Sequence, residues 1–213
     1  MSTAERRVQA TRLVLTLAGA GALAGLFIVL AFQWAQPRIL AHCATVLEAA
    51  IQEVLGAPRR TGTLFVFEGA LTSTPPAGSD TTRLTRIFAG YNERDELIGF
   101  ALQAAEPGFS DVITLMYGYD PVAQQVIGMK VLDHRETPGL GDRIVRDTAF
   151  LAEFRRVTAP LRGVKQRSAQ DNSHDVQLIT GATISSRTVL NIINRSLEQM
   201  QPLIAAYLQG GRP

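Results

Sequence analysis

One membrane-spanning helix followed by an α+β domain, with an antiparallel sheet and flanking helices, is the fold the sequence predicts. Three observations predict it: an uncharged run from Leu13 to Trp34, a series of strand-like segments between Thr63 and Asp133, and an amphipathic helix opening near Thr183. The expected division is residues 1–36 as N-terminus and anchor and residues 37–213 as the folded domain.

The run LVLTLAGAGALAGLFIVLAFQW is 22 residues long and carries no charge. As a helix it spans roughly 33 Å at about 1.5 Å per residue, which matches a bilayer's hydrocarbon thickness. A cleaved signal peptide is the competing reading, and small-residue sites exist for it. The run nevertheless exceeds the usual apolar core of a signal peptide, and aromatics follow it where a small-residue cleavage site belongs, so an uncleaved anchor is expected. Arg6, Arg7 and Arg12 precede the span and only Arg38 follows closely. The positive-inside rule then places the N-terminus in the cytoplasm and the domain beyond the membrane, with Trp34 at the interface. Gly21 and Gly25 form a G-x-x-x-G face on which a neighbouring helix can pack, although glycine is also common in membrane helices. The pattern around Gly19, Gly21 and Gly25 follows no strand and is not a dinucleotide fingerprint.

Pro37–Leu55 reads as a separate amphipathic helix, with Leu40, Val46, Leu47, Ala50, Ile51 and Val54 at helical spacing and Pro37 in its first turn. Five segments rich in β-branched and aromatic residues follow: Thr63–Phe67, Leu84–Tyr91, Leu97–Ala104, Val112–Tyr119 and Gln125–Asp133. Glu106-Pro107-Gly108 and Asp120-Pro121 mark turns, and Leu71–Thr82 has the composition of a surface loop. After Arg143 the pattern turns helical through Phe150, Leu151 and Phe154 and breaks at Pro160. The last helix carries Ile184, Val189, Leu190, Ile193 and Leu197 as its buried stripe.

Composition narrows the function. A net charge of +2 without an aromatic-studded basic stripe gives no case for nucleic acid. One cysteine, Cys43, excludes an internal disulfide, and no Cys/His cluster has metal-site spacing. The three histidines read as surface or packing residues. No general acid–base residue is expected.

Two stretches carry chemistry. In Ile179-Thr180-Gly181-Ala182-Thr183-Ile184-Ser185-Ser186, two small residues precede a hydroxyl and a helix start. Gly181 and Ala182 leave room for a bulky group, and the first-turn N–H groups have no internal partners, so a phosphate is favoured there. Thr180, Ser185 and Ser186 are candidate further donors. Taken alone, the segment reads first as an ordinary N-cap at Thr183. In His134-Arg135-Glu136-Thr137-Pro138-Gly139-Leu140-Gly141-Asp142, a tight turn presents backbone amides and an apolar side chain to a planar ring; alone it reads as a surface turn.

The ordered set Gly118-Tyr119-Asp120, Val126-Ile127-Gly128, HRETPGLGD and TGATISS resembles the G subunit of the Rnf ion-translocating electron-transport complex. More broadly it resembles the FMN-binding domain shared with the C subunit of the sodium-pumping NADH:quinone oxidoreductase. The latter is usually longer, which favours the Rnf type. The resemblance runs from the anchor to the last helix and implies covalent FMN, joined by a phosphoester to Thr183 by a dedicated flavin transferase. It further implies flavin contacts from Glu136, Thr137, Gly139 and Leu140, and an aromatic near the ring, for which Tyr117 is the candidate. The implied role is an electron-carrying subunit of a ferredoxin:NAD⁺ oxidoreductase in the inner membrane, partnered by the complex's other membrane and redox subunits, with its domain in the periplasm.

Two departures stand against the family pattern. Gln177 occupies the position six before Thr183 where the transferase motif has an aspartate, with Asp175 two residues further away. The basic stretch before the motif is represented only by Lys165 and Arg167. A flavin-free periplasmic scaffold is therefore the alternative from a different class.

Overall fold

The computed structural model describes residues 3–75, 84–166 and 172–210. In chain order the elements are α1 (Thr3–Leu55), β1 (Arg60–Phe67), β2 (Ala70–Thr72), β3 (Arg86–Tyr91), β4 (Leu97–Pro107), β5 (Val112–Asp120) and β6 (Gln125–Asp133). They continue as α2 (Arg143–Arg146), α3 (Thr148–Ala152), β7 (Val157–Thr158), β8 (Arg162–Val164), β9 (Asp175–Gln177) and α4 (Thr183–Gln209). Residues 76–82 of the expected surface loop, and Arg167, lie outside the described residues.

The chain forms two compact units, Met1–Val46 and Leu47–Pro213. The first lies on α1, which is long and apolar enough to cross a membrane, with a mean hydropathy of 2.4 over its most apolar window and none of that window buried. The Arg38 guanidinium lies 3.9 Å over the Trp34 ring, a cation–π pair at the end of the apolar stretch. The expected helix break at Pro37 is corrected: Pro37 stands inside one continuous helix. Its neighbours carry no glycine or turn signal, so the missing N–H costs the helix a hydrogen bond without ending it.

The second unit is built on a seven-stranded sheet in the order β2-β1-β3-β4-β5-β6-β7. Every pairing in it is antiparallel. Strand alternation sorts side chains to two faces. Ile87, Ala89, Phe100, Leu102, Leu115, Tyr117 and Tyr119 point to the main core, where Val189, Leu190, Ile193 and Leu197 of α4 meet them. Phe88, Ala101 and Met116 point the other way, onto Ala50, Ile51, Val54 and Leu55 at the end of α1.

That second face is made shallow by glycine. A Cβ on Gly128 would lie 2.9 Å from the Val54 carbonyl oxygen, and one on Gly118 would collide with the same carbonyl. A Cβ on Gly90 would lie 2.6 Å from a Leu55 methyl. The glycines of G-Y-D and V-I-G thus seat the last turn of α1 on the sheet. The Lys130–Glu53 ion pair, 2.5 Å long, closes the edge.

Candidate functional site

The chemistry-bearing segments converge at one end of the sheet, on a cleft of about 320 Å³. The loop after β4 contributes Phe109; the proline–glycine turn contributes Thr137, Leu140 and Gly141; the start of α4 contributes residues 181–185.

Each wall has a local cause. In the Pro138-Gly139 turn, Gly139 takes φ +78°, which an L side chain adopts only with strain. The N–H groups of Leu140 and Asp142 donate to the Thr137 carbonyl, and the Gly139 N–H donates to Asp142 Oδ1 at 2.7 Å. At the helix start, Ala182 N–H donates to the Ile179 carbonyl at 3.0 Å, closing a turn whose third residue, Gly181, has φ +85°. That is the geometry in which a type II turn calls for glycine.

The N-cap of α4 is Ala182, which offers no side chain to the first-turn amides. Thr183 is the first helical residue rather than the cap, and its hydroxyl lies 3.5 Å from the Ile179 carbonyl, at the outer limit of a hydrogen bond. The ordinary-cap reading of Thr183 is therefore excluded. Thr183, half-buried, lines the cleft, beside first-turn N–H groups that lack intrahelical acceptors. Around it, Phe109, Leu140 and Ile184 are 65%, 55% and 58% exposed. Covering such surface is favourable at about 25 cal/mol per Å². A hydroxyl for esterification, a first turn that favours phosphate, and apolar walls suit an FMN group. Among the described residues no cluster of His, Cys, Asp and Glu could hold a metal.

The remaining candidates separate. Gly139 shapes the turn without lining the cleft. Thr180 faces a neighbouring groove of about 220 Å³ that also holds Arg143, Asp147 and Gln177. There its carbonyl accepts a 2.7 Å hydrogen bond from Arg143 Nη1. Ser185 and Ser186 are not spare donors: Ser185 Oγ donates to Glu136 Oε2 at 2.5 Å, and Ser186 Oγ donates back to the Ala182 carbonyl at 2.8 Å. Both are buried. Glu136 is buried too, behind the cleft rather than on it. Tyr117 is corrected outright. It lies in the main core with no exposed surface, its hydroxyl donates to Ser196 at 2.8 Å, and burial pushes its ionisation upward. Strand alternation turns it toward α4, away from the cleft.

Sequence reasoning misses Phe109, Gly141 and Ile184 as lining residues. An aromatic directly after the Pro107-Gly108 turn is the available signal for Phe109, because an exposed turn rarely places a large apolar side chain without use. Helical spacing puts Ile184 in the buried stripe, but the helix start turns it outward.

Residues 108–198 match the FMN-binding domain family. The G subunit of the ion-translocating oxidoreductase complex of Pectobacterium atrosepticum is 32% identical over 131 residues, 61% of this chain and 61% of that protein. Its counterpart from Aliivibrio fischeri is 37% identical over 101 residues, 46% of this chain and 48% of that protein. The chain thus spans about half to three-fifths of the length of the curated relatives it matches. In fold, NqrC of Shewanella oneidensis superposes with TM-score 0.58 at 19% identity, covering 70% of this chain and 85% of that one. The C subunit of the Na⁺-translocating NADH-quinone reductase of Parabacteroides distasonis gives 0.51 at 20% identity, covering 65% and 74%. The cleft between the proline–glycine turn and α4 falls inside the segment that matches the FMN-binding domain family, and the sequence relatives that span it are G subunits of ion-translocating oxidoreductase complexes.

Proposed function

We propose that this protein is the electron-carrying flavoprotein subunit of an Rnf-type ion-translocating oxidoreductase, with FMN held covalently through a phosphoester to Thr183. One observation carries the reading: Thr183, relieved of capping, lines a cleft walled by the two motif segments, inside the stretch that matches the FMN-binding domain family.

The chain's own residues supply the seat. The first turn of α4 faces the phosphate with unshared N–H groups and the positive end of the helix dipole. Leu140, Ile184 and Phe109 offer apolar surface to the ring, and the turn at 137–141 fixes Leu140. An isoalloxazine held by these residues would supply two-electron acceptance and one-electron release, chemistry that suits a relay between unlike redox partners. The phosphoester prevents loss of the cofactor while leaving the ring's electronics to its surroundings. Its formation needs a flavin donor whose phosphate is activated as a phosphoanhydride. The Thr183 oxygen takes the flavin-bearing phosphoryl group as the anhydride P–O bond breaks. The other phosphate departs as leaving group and the hydroxyl proton is lost, a transfer that a flavin transferase catalyses.

The apolar stretch of α1 anchors the protein in the inner membrane, with the N-terminus cytoplasmic and the domain periplasmic, among the membrane and redox subunits of its complex. Acid-denatured protein from cells that possess the transferase is expected to keep yellow fluorescence on the polypeptide band in a gel. A colourless band would leave the flavin-free scaffold, which Gln177 favours.

A further inference from the structure

The family resemblance assigns Glu136 to the flavin contacts, but the structure gives its carboxylate a different set of partners. Oε1 accepts the backbone N–H groups of Phe109 and Ser110, each at 2.9 Å, and Oε2 accepts the Ser185 hydroxyl at 2.5 Å. Only 4% of the residue is exposed. The surroundings are shaped to it. A Cβ on Gly108 would lie 2.5 Å from Oε1, and one on Gly141 would collide with Oε2. A buried carboxylate is costly unless hydrogen-bonded, and here each oxygen is occupied.

Those partners lie on different walls. Phe109 and Ser110 belong to the loop between β4 and β5, Ser185 to the first turn of α4, and Glu136 itself to the segment that leads from β6 into the proline–glycine turn. We infer that Glu136 is a positioning residue, a buried carboxylate that ties the Phe109 loop and the Thr183 helix start to the Leu140 turn and so fixes the width of the flavin seat without touching the ring. This rests on the reading of the cleft as the flavin site.

Charge in the neighbourhood is compatible with that task. Asp111 turns its side chain to the Val112 N–H and, at 3.8 Å, to Arg135; Asp142 holds the Gly139 N–H and Arg146; His134 Nδ1 accepts the Glu136 N–H. Arg135 and Arg146 are thus engaged by other carboxylates. The Glu136 carboxylate is stabilised instead by the donors of the two walls.

The test uses the full chain in detergent, made with and without the flavin transferase, as wild type, Glu136→Ala, Glu136→Gln and Ser185→Ala. Intact mass reports flavin occupancy; amide hydrogen exchange reports segments 108–111 and 181–186; visible circular dichroism and iodide quenching report how firmly the ring is held. Glu136→Ala is expected to speed exchange in both segments by about tenfold while β4 and β5 keep wild-type protection. Loaded protein is expected to lose visible dichroism and gain iodide quenching at unchanged flavin mass. Glu136→Gln retains an amide oxygen for Phe109 and Ser110 and should restore protection at 108–111. Ser185→Ala loosens 181–186 alone and carries the test should Glu136→Ala fail to fold. Wild-type exchange and dichroism in both alanine variants would overturn the inference with the flavin site intact. Loosened segments in the variants, beside a wild type that never gains flavin mass, would instead sink the functional reading and leave the tie between the walls standing.

Discussion

Glycines do opposite work at two ends of this domain. Under α1, Gly118 and Gly128 are glycines because another backbone occupies the space where a Cβ would stand. At the cleft, Gly139 and Gly181 have positive φ, with open space around Gly139 and only the Arg143 guanidinium, at 4.0 Å, near Gly181. The first pair permits close packing; the second permits turns that expose a hydroxyl and an apolar side chain. Substitutions at the first pair should therefore report on stability, and substitutions at the second on the site.

The largest effect expected is on occupancy. Thr183→Val should abolish covalent flavin entirely while leaving the melting temperature near wild type, because the hydroxyl makes only a marginal hydrogen bond; intact mass and thermal unfolding check both halves. Next comes Gly118→Ala, which must push the last turn of α1 off the sheet and should cost about 3 kcal/mol in chemical unfolding of the domain. An effect below about 0.5 kcal/mol would break the comparison at its packing end. Gly181→Ala is expected to cost about 1–2 kcal/mol through its positive φ, and to reduce flavin occupancy more than its stability loss explains. Phe109→Ala should change stability by less than about 0.5 kcal/mol, since the side chain is mostly exposed, yet raise iodide quenching of the bound flavin.

The smallest effect is one of pH. Burial pushes the Glu136 carboxyl up, but the hydrogen bonds from Ser185, Ser110, Phe109 and Asp111 together outweigh it and hold the group below the usual carboxylate range. A depressed folded-state value means that the charged form contributes stability above the unfolded value, about 4.3 for glutamate. That contribution is lost as pH falls through the lower folded value. Glu136→Gln should flatten this part of the acid-unfolding curve, leaving its shape above about pH 6 unchanged.

Where local pattern decides structure, the sequence is readable. β6 follows the expected Gln125–Asp133, β5 ends one residue later than expected, and α4 opens at Thr183. β4 runs on to Pro107 although Ala104-Ala105-Glu106 has little strand propensity, because β5 pairs with it as far as Pro107↔Val112. β7, β8 and β9 have two or three residues each, too few for any period to register. The continuity of α1 is hidden because a proline is ambiguous between a first turn and a tolerated interior. At the site, the two motif segments are legible from their turn chemistry. Tyr117 is not, because an aromatic's face is unknown until the strand register is. The link between Glu136 and Ser185 spans 49 positions and leaves no local trace.

The most direct test is to digest native protein from transferase-bearing cells and sequence the peptide spanning residues 178–187 by mass spectrometry. An addition on the order of 440 Da located on Thr183 is the predicted result, since covalent FMN changes mass as any modification does. Unmodified Thr183 in protein that retains its flavin, or the same addition on Thr180, Ser185 or Ser186, would contradict the account.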